Sequence, residues 1–258
     1  MRKLLLLPLL FLSYCQLNTA QSFSILSNNF YKTGEILTYN LRYGFIVGGG
    51  AKLELNESPT TNKNLNYIRG TIKTVGIADK IFKVIDVYES YFDKESGMPV
   101  MSIQNISEGK NYKYFNQVTY NRQNNTIKSS KSGEHKVPEN IMDVMSAFYY
   151  VRRIDFSKLK EGDIIKIPSY FSDEVFPLEF RFRGRENLST NWGKIRCVKL
   201  SPIVEPGRVF KSTDDMFIWY TDDDVRLLAQ ITFEMIVGHV TVELSGFSGL
   251  KNTPAFKK

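Results

Sequence analysis

Ile36-Leu37-Thr38-Tyr39-Asn40-Leu41-Arg42-Tyr43-Gly44-Phe45 alternates over most of its length. Leu37, Tyr39, Leu41, Tyr43 and Phe45 fall on one face, and Thr38, Asn40 and Arg42 on the other. Successive side chains of a strand point to opposite sides, so this pattern predicts a strand with one dry and one wet face. Such one-sided strands belong to antiparallel sheets. Gly48-Gly49-Gly50 is read as the turn into Ala51-Lys52-Leu53-Glu54-Leu55, which alternates again.

The same period runs outward along the chain. Phe82, Val84, Tyr88 and Phe92 are expected to face one way. Phe176, Leu178, Phe180 and Phe182 alternate with Glu179, Arg181 and Arg183, and Val240, Val242 and Leu244 with Thr241 and Glu243. Turn-forming clusters separate these runs: Asn62-Lys63-Asn64, Lys94 to Gly97, Asn121 to Asn125, and Asp222-Asp223-Asp224. This spacing suits an up-and-down or meandering sheet. Ser129 to Lys136 reads as a solvated polar loop and as the best hinge between two halves, 21–130 and 137–258.

One stretch breaks the period. Val137-Pro138-Glu139-Asn140 leads into Ile141-Met142-Asp143-Val144-Met145-Ser146-Ala147-Phe148-Tyr149-Tyr150-Val151-Arg152-Arg153. Pro138 suits a first helical position, Glu139 the positive end and Arg152-Arg153 the negative end. Positions 141, 144, 145, 148 and 151 form a wide apolar arc, and 139, 143, 146, 150 and 153 a narrow polar stripe. The fold expected is mainly β: an antiparallel curved sheet or half-barrel wrapped around one central helix at about 138–153.

The first twenty residues set an address. Met1-Arg2-Lys3 is basic, Leu4 to Leu12 is an apolar run, and Leu17-Asn18-Thr19-Ala20 ends on a small residue. That order is a secretory signal peptide over 1–20, leaving one β-rich domain over 21–258. The run is shorter than the roughly 20 residues a bilayer span needs. Lipid anchoring at Cys15 is disfavoured, because Tyr14 stands where a small residue is expected. An exported placement, periplasmic or outer-envelope, follows.

Composition narrows the classes. Cys15 and Cys197 are the only cysteines, so removal of the signal leaves no intramolecular disulfide, and stability must come from burial. The formal charge of +7 falls to +5 without Arg2 and Lys3 (7 − 2), and the remaining charges are interspersed. A nucleic-acid surface is not expected.

No motif carries recognised chemistry. The glycine triad runs toward another strand and not into a helix, so it reads as a hairpin or bulge and not a phosphate loop. Asp222-Asp223-Asp224, with Asp214-Asp215 nearby, lacks calcium-loop spacing and reads as a turn. His135 and His239 stand apart, with no metalloprotease or serine-elbow pattern around them. Cys197 reads as a small core residue. No cofactor and no metal are expected.

Several blocks together resemble a known exported family. These are Gly34-Glu35-Ile36-Leu37-Thr38-Tyr39, Tyr43-Gly44 with Gly49-Gly50-Ala51, Asp143 through Arg152, and Trp219-Tyr220-Thr221-Asp222-Asp223. In this order they are similar to domain of unknown function 3108 (DUF3108), roughly from Phe30 to Leu244. The resemblance implies an envelope protein of Gram-negative bacteria with a β-rich fold, and no catalytic residues. A curved sheet closing over a helix is also similar in plan to periplasmic lipoprotein carriers, an analogy of fold alone.

The leading functional expectation is a non-enzymatic protein that binds a lipid-like or other amphipathic ligand between sheet and helix. Met142, Met145, Phe148, Tyr149 and Trp219 are expected to line the cavity, with Arg152 at its rim for a polar head. The alternative is a structural or interaction module for an envelope protein or polysaccharide, which predicts an exposed aromatic or apolar patch. A third is a hydrolase of envelope polymers, needing two facing carboxylates with one shifted in pKa.

Overall fold

The computed structural model describes residues 23–203, 215–234 and 238–257. The expected signal peptide over 1–20, Cys15 and Asp214 lie outside the described residues. The first half of the chain forms β1 (Ile36–Tyr43), β2 (Ile46–Glu57), β3 (Leu65–Thr74), α1 (Gly76–Ile81), β4 (Ile85–Asp93), β5 (Pro99–Glu108), β6 (Tyr112–Asn121), β7 (Thr126–Ser129) and β8 (Gly133–Lys136). There follow α2 (Val144–Val151), β9 (Ile164–Ile167), β10 (Tyr170–Phe171), β11 (Glu174–Val175) and β12 (Leu178–Thr190). The last four strands are β13 (Gly193–Pro202), β14 (Met216–Thr221), β15 (Leu228–Glu234) and β16 (His239–Ser248).

Among the described residues fourteen strands make one sheet in the order β8-β7-β6-β5-β4-β3-β2-β1-β16-β15-β14-β13-β12-β9. All its pairings are antiparallel. Neighbours in the sheet are neighbours in sequence except at β1–β16 and β12–β9, which is the expected meander. β8 and β9 are its outer strands and do not pair, so the sheet is not closed into a barrel. It runs without interruption from the N-terminal strands into the C-terminal ones through β1–β16.

Three local expectations are corrected. Gly48-Gly49-Gly50 is not the turn: the chain reverses at Gly44, with φ +57, and the glycines lie inside β2. Leu41 pairs with Gly49 and Arg42 with Val47, so Gly48 is the extra residue of a β-bulge. A Cβ on Gly49 would stand 2.9 Å from the Lys73 carbonyl oxygen, which explains glycine there. Phe82 is not on a strand face but ends α1, with its side chain 53% exposed. Ser129 to Lys136 is not a solvated loop. It is the tight β7–β8 hairpin at the sheet edge, with Ser129 buried.

The helix is shorter than 138–153 at both ends. Asp143 is its N-cap, and its Oδ1 accepts from Met145 N at 2.8 Å and Ser146 N at 3.0 Å. Upstream, Asn140 is left-handed at φ +57, and Met142 forms a bridge with Ser169. Those conformations exclude a helix starting at Pro138. At the far end, Arg152 and Arg153 do not serve the exposed carbonyls. Arg226 does so, donating to Arg152 O at 2.9 Å and to Ile154 O.

Nor does the polar stripe face water. Asp143, Ser146 and Arg153 are all buried. Asp143 and Ser146 face Ser90 of β4, and the N-terminal segment from Phe23 to Tyr31 covers the Arg153 end: Leu26 N donates to Arg153 O at 2.8 Å and Arg153 Nε to Leu26 O at 3.1 Å. Asp155 N donates to Ser24 O at 2.9 Å, and Ile25 bridges Ile154. On the sheet side, Ala147 and Val151 join a core with Leu37, Tyr39, Phe182, Leu200, Ile218 and Leu244. Tyr149 joins Leu55, Ile68 and Phe92 from the other arm of the sheet.

Burial raises the Asp143 carboxyl above its usual 3.8, against donors from Ser90, Ser146 and Met145 that lower it. A carboxyl raised in the folded state favours folding when protonated. Its contribution is full below the unfolded value and fades as pH climbs through the folded one. The fall in stability on raising pH upward from about 4 is therefore expected to be shallower in Asp143→Asn than in the parent. Urea midpoints across that range check this; parallel curves contradict it.

Candidate ligand-binding cavity

Between α2 and strands β12 to β14 lies a cavity of about 160 Å³. The helix offers Val144, Ala147, Phe148 and Val151, spaced three and four apart so that they share one face. Phe176, Leu178 and Phe180 come from the alternating run at the start of β12, with Pro177 between them. Pro202 and Ile203 at the end of β13, and Met216 and Ile218 of β14, complete the wall. Among the described residues Glu179 is its one ionisable lining residue, and its carboxylate pairs with Lys166 Nζ at 2.9 Å. Such a chamber offers apolar contact with almost no competing hydrogen-bonding group, which favours an apolar occupant over water.

The structure brings only part of the expected site together. Phe148 lines the cavity. Met142 is fully buried in the adjoining core, and Tyr149 faces the Leu55–Phe92 cluster on another side of the helix. Met145 packs against β3, its sulfur 2.9 Å from where a Cβ on Gly70 would be. Trp219 lies on the opposite sheet face among Ile195, Cys197 and Ala229, its Nε1 donating to Glu186 Oε1 at 2.7 Å. Strand parity explains this, because Ile218 and Tyr220 face the helix and Trp219 must then face away.

Arg152 is not at a rim. Its side chain is 2% exposed, and Glu35 opposite it is 0% exposed. Nη1 donates to Glu35 Oε1 at 2.5 Å, and Nη2 to Glu35 Oε2 at 2.9 Å, Phe30 O at 3.1 Å and Val225 O at 2.7 Å. Tyr149 Oη donates to the same carboxylate at 3.0 Å, and the guanidinium stands 5.0 Å from the ring centres of Tyr31 and Tyr149. The group clamps the N-terminal segment, β1, the helix and the turn before β15. Sequence reasoning missed Glu35, Val144, Ala147, Val151 and the strand-end residues. The alternation of 176, 178, 180 and 182 placed those residues on one face without marking it as a cavity wall.

Other chemistry-bearing groups are occupied structurally. Asp173 Oδ1 accepts from Ser129 Oγ at 2.5 Å, Ser132 Oγ at 2.9 Å, Tyr170 Oη at 3.0 Å and Asn116 Nδ2 at 3.1 Å. His135 Nε2 meets Ser132 Oγ at 2.6 Å. The carboxylate holds the serine and not the imidazole, the reverse of what a proton relay needs. The cluster anchors the β10–β11 turn, where Ser172 and Asp173 are both left-handed, against β6 and β7. Asp223 caps its own turn, accepting from Thr221 Oγ1, Val225 N and Arg226 N. Asp143 meets Ser90 and Ser146 and not a second carboxylate. Cys197 is fully buried, and burial, with the nearby Asp223 and Asp222, pushes its thiol up to about 12. A second, more polar cleft of about 330 Å³ lies between Tyr88, Gln104, Tyr112, Tyr114 and Phe171.

Residues 38–245 match the model of a family described as protein of unknown function (DUF3108). A comparison with curated proteins finds no match. Among solved structures, the fold is similar to a β-barrel-like protein of domain of unknown function DUF1849 from Brucella abortus. The two share 8% identity at a TM-score of 0.58, over 88% of this chain and 99% of that one. A DUF1089 family protein from Pseudomonas aeruginosa gives 8% identity and a TM-score of 0.35, over 80% and 91%. A hypothetical protein from Chlamydia trachomatis gives 8% and 0.37, over 88% and 92%.

Proposed function

The chain belongs to the DUF3108 family, and on that footing we propose that it is a non-enzymatic binding protein that takes an apolar group into the cavity between α2 and β12–β14. The single observation that carries this reading is the lining: Val144, Ala147, Phe148, Val151, Ile218 and their neighbours around one partly open apolar volume. In this reading the open sheet curves over α2 as a half-barrel. Packing of one short helix against strands from both arms of the sheet supports it.

The volume sets the ligand class. It is close to that of an engineered protein cavity of about 150 Å³ that stays dry and binds benzene. One short alkyl stretch or one aromatic ring fits, and a full pair of acyl chains does not. The ligand is thus an amphipathic molecule that inserts a single small apolar end and leaves its polar part outside. Arg152 has no share in holding that polar part, because it is buried and its two terminal nitrogens are engaged by Glu35 and two backbone carbonyls. The basic start and apolar run of residues 1–20 support export, and with it a periplasmic or outer-envelope ligand.

Native mass spectrometry of the protein recovered from an envelope fraction without detergent tests this. The expected spectrum contains a species with added mass that organic extraction removes. A single unliganded mass, unchanged after incubation with short-chain alkyl amphiphiles, contradicts it.

A further inference from the structure

The β1–β2, β3–β4 and β5–β6 connections all emerge at one end of the sheet, since Tyr43 pairs with Ile46, Lys73 with Ile85 and Glu108 with Tyr112. There the chain exposes large apolar side chains that no described residue covers. Phe45 is 89% exposed, Ile77 75% and Ile81 79%. Ile77 and Ile81 are four apart on α1, so they form one outward stripe, and α1 buries none of its residues. Ile46, Phe82 and Tyr112 extend the patch across the three tips.

The tips are tied into one platform. Val75 N donates to Gly48 O at 3.0 Å and Gly109 N to Lys83 O at 2.7 Å. The Phe82 ring lies so close to Gly109 that a Cβ there would be 2.7 Å away. Charge on the platform has one predominant sign. Residues 73–85 and 108–113 together hold five lysines, Lys73, Lys80, Lys83, Lys110 and Lys113, against Asp79 and Glu108. All five lysines belong to exposed positions. Asp79 is engaged by Thr74 Oγ1 at 3.0 Å.

Protruding aromatic and branched side chains with lysines between them suit the boundary between headgroups and acyl chains, where apolar groups insert and cations meet phosphates. We propose that this end of the sheet docks on an anionic lipid bilayer. Phe45, Ile46, Ile77 and Ile81 enter the interface and Lys80, Lys83, Lys110 and Lys113 contact the headgroup phosphates. A flat apolar face between rigid proteins would instead be depleted of lysine.

The cavity lies at the same end. Met216 of its wall pairs with Phe233, Phe233 with Val240, Val240 with Tyr43, and Tyr43 with Ile46. Docking therefore sets the cavity beside the bilayer, although the docking surface is built from different residues and stands without the cavity.

The test is co-sedimentation of the protein, expressed over residues 1–258, with two vesicle types. One is phosphatidylethanolamine containing about one third phosphatidylglycerol, the other pure phosphatidylcholine. Binding is expected on the anionic vesicles, weakened by salt, and reduced at least about tenfold by Ile77→Ser with Ile81→Ser and by Lys80→Glu with Lys83→Glu. Residues 1–20 are the same in every protein compared, so they cannot produce that difference. Absence of vesicle binding, equal binding by the variants, or self-association through the tips in its place overturns the proposal. Val144→Phe, which fills the cavity, is expected to bind vesicles as the parent does, so failure of the cavity reading would be seen separately.

Discussion

Replacing Arg152 by leucine is expected to lower the unfolding free energy by about 3–5 kcal/mol, because it leaves the Glu35 carboxylate buried without its cation. Glu35 is 0% exposed, and its two oxygens accept from Arg152 and Tyr149. The same substitution removes the donors to Phe30 O and Val225 O, so the N-terminal segment and the turn before β15 loosen from the helix. Against a domain stability of about 5–15 kcal/mol, this is a large fraction. The double variant Glu35→Leu with Arg152→Leu is expected to recover much of the loss. An apolar pair avoids the cost of removing two charges from water, while the donors to Phe30 O and Val225 O stay lost, so recovery is incomplete. Urea unfolding of parent, single and double variants measures all three. A single variant within about 1 kcal/mol of the parent would show that the pair is not the clamp described.

Filling the cavity has the second large effect, on affinity and not on stability. Val144 opens α2 and is only half-buried, so phenylalanine there grows into the cavity with little strain on the core. The expected stability change is below about 1 kcal/mol. The cavity of about 160 Å³ holds roughly five or six methylenes' worth of ligand, and each buried methylene contributes about 0.8 kcal/mol. Excluding that tail from Val144→Phe should weaken binding of a short alkyl amphiphile by well over tenfold, about 1.4 kcal/mol or more. Competition against an environment-sensitive apolar dye reads this directly. Equal affinities in parent and variant would place the ligand elsewhere.

The strands were legible because their apolar residues alternate; that alternation put Phe176, Leu178 and Phe180 on one face without marking it as a cavity wall. Trp219 was assigned by its aromatic character, whereas the parity of Ile218-Trp219-Tyr220 already separates it from its neighbours. The extent of α2 was misjudged because Pro138 and Arg152-Arg153 are plausible end signals. The Asp143 cap and the left-handed Asn140 override them. Glu35 could not be matched to Arg152, since they are 117 residues apart and carry no common motif. The segment from Phe23 to Tyr31 has no period at all, so nothing local announced that it covers the Arg152–Arg153 end of the helix. The exposed isoleucines of α1 were passed over because a six-residue helix between two strands is too short to show a periodic signal.

The most direct test of the central claim is methyl-resolved NMR of the protein titrated with a short alkyl amphiphile. Saturable shifts are predicted at the lining methyls, among them Val144, Val151, Ile203, Met216 and Ile218, with Ile68 and Ile127 unmoved. Shifts absent from the first group, or equal in both, would contradict an apolar ligand bound between α2 and β12–β14.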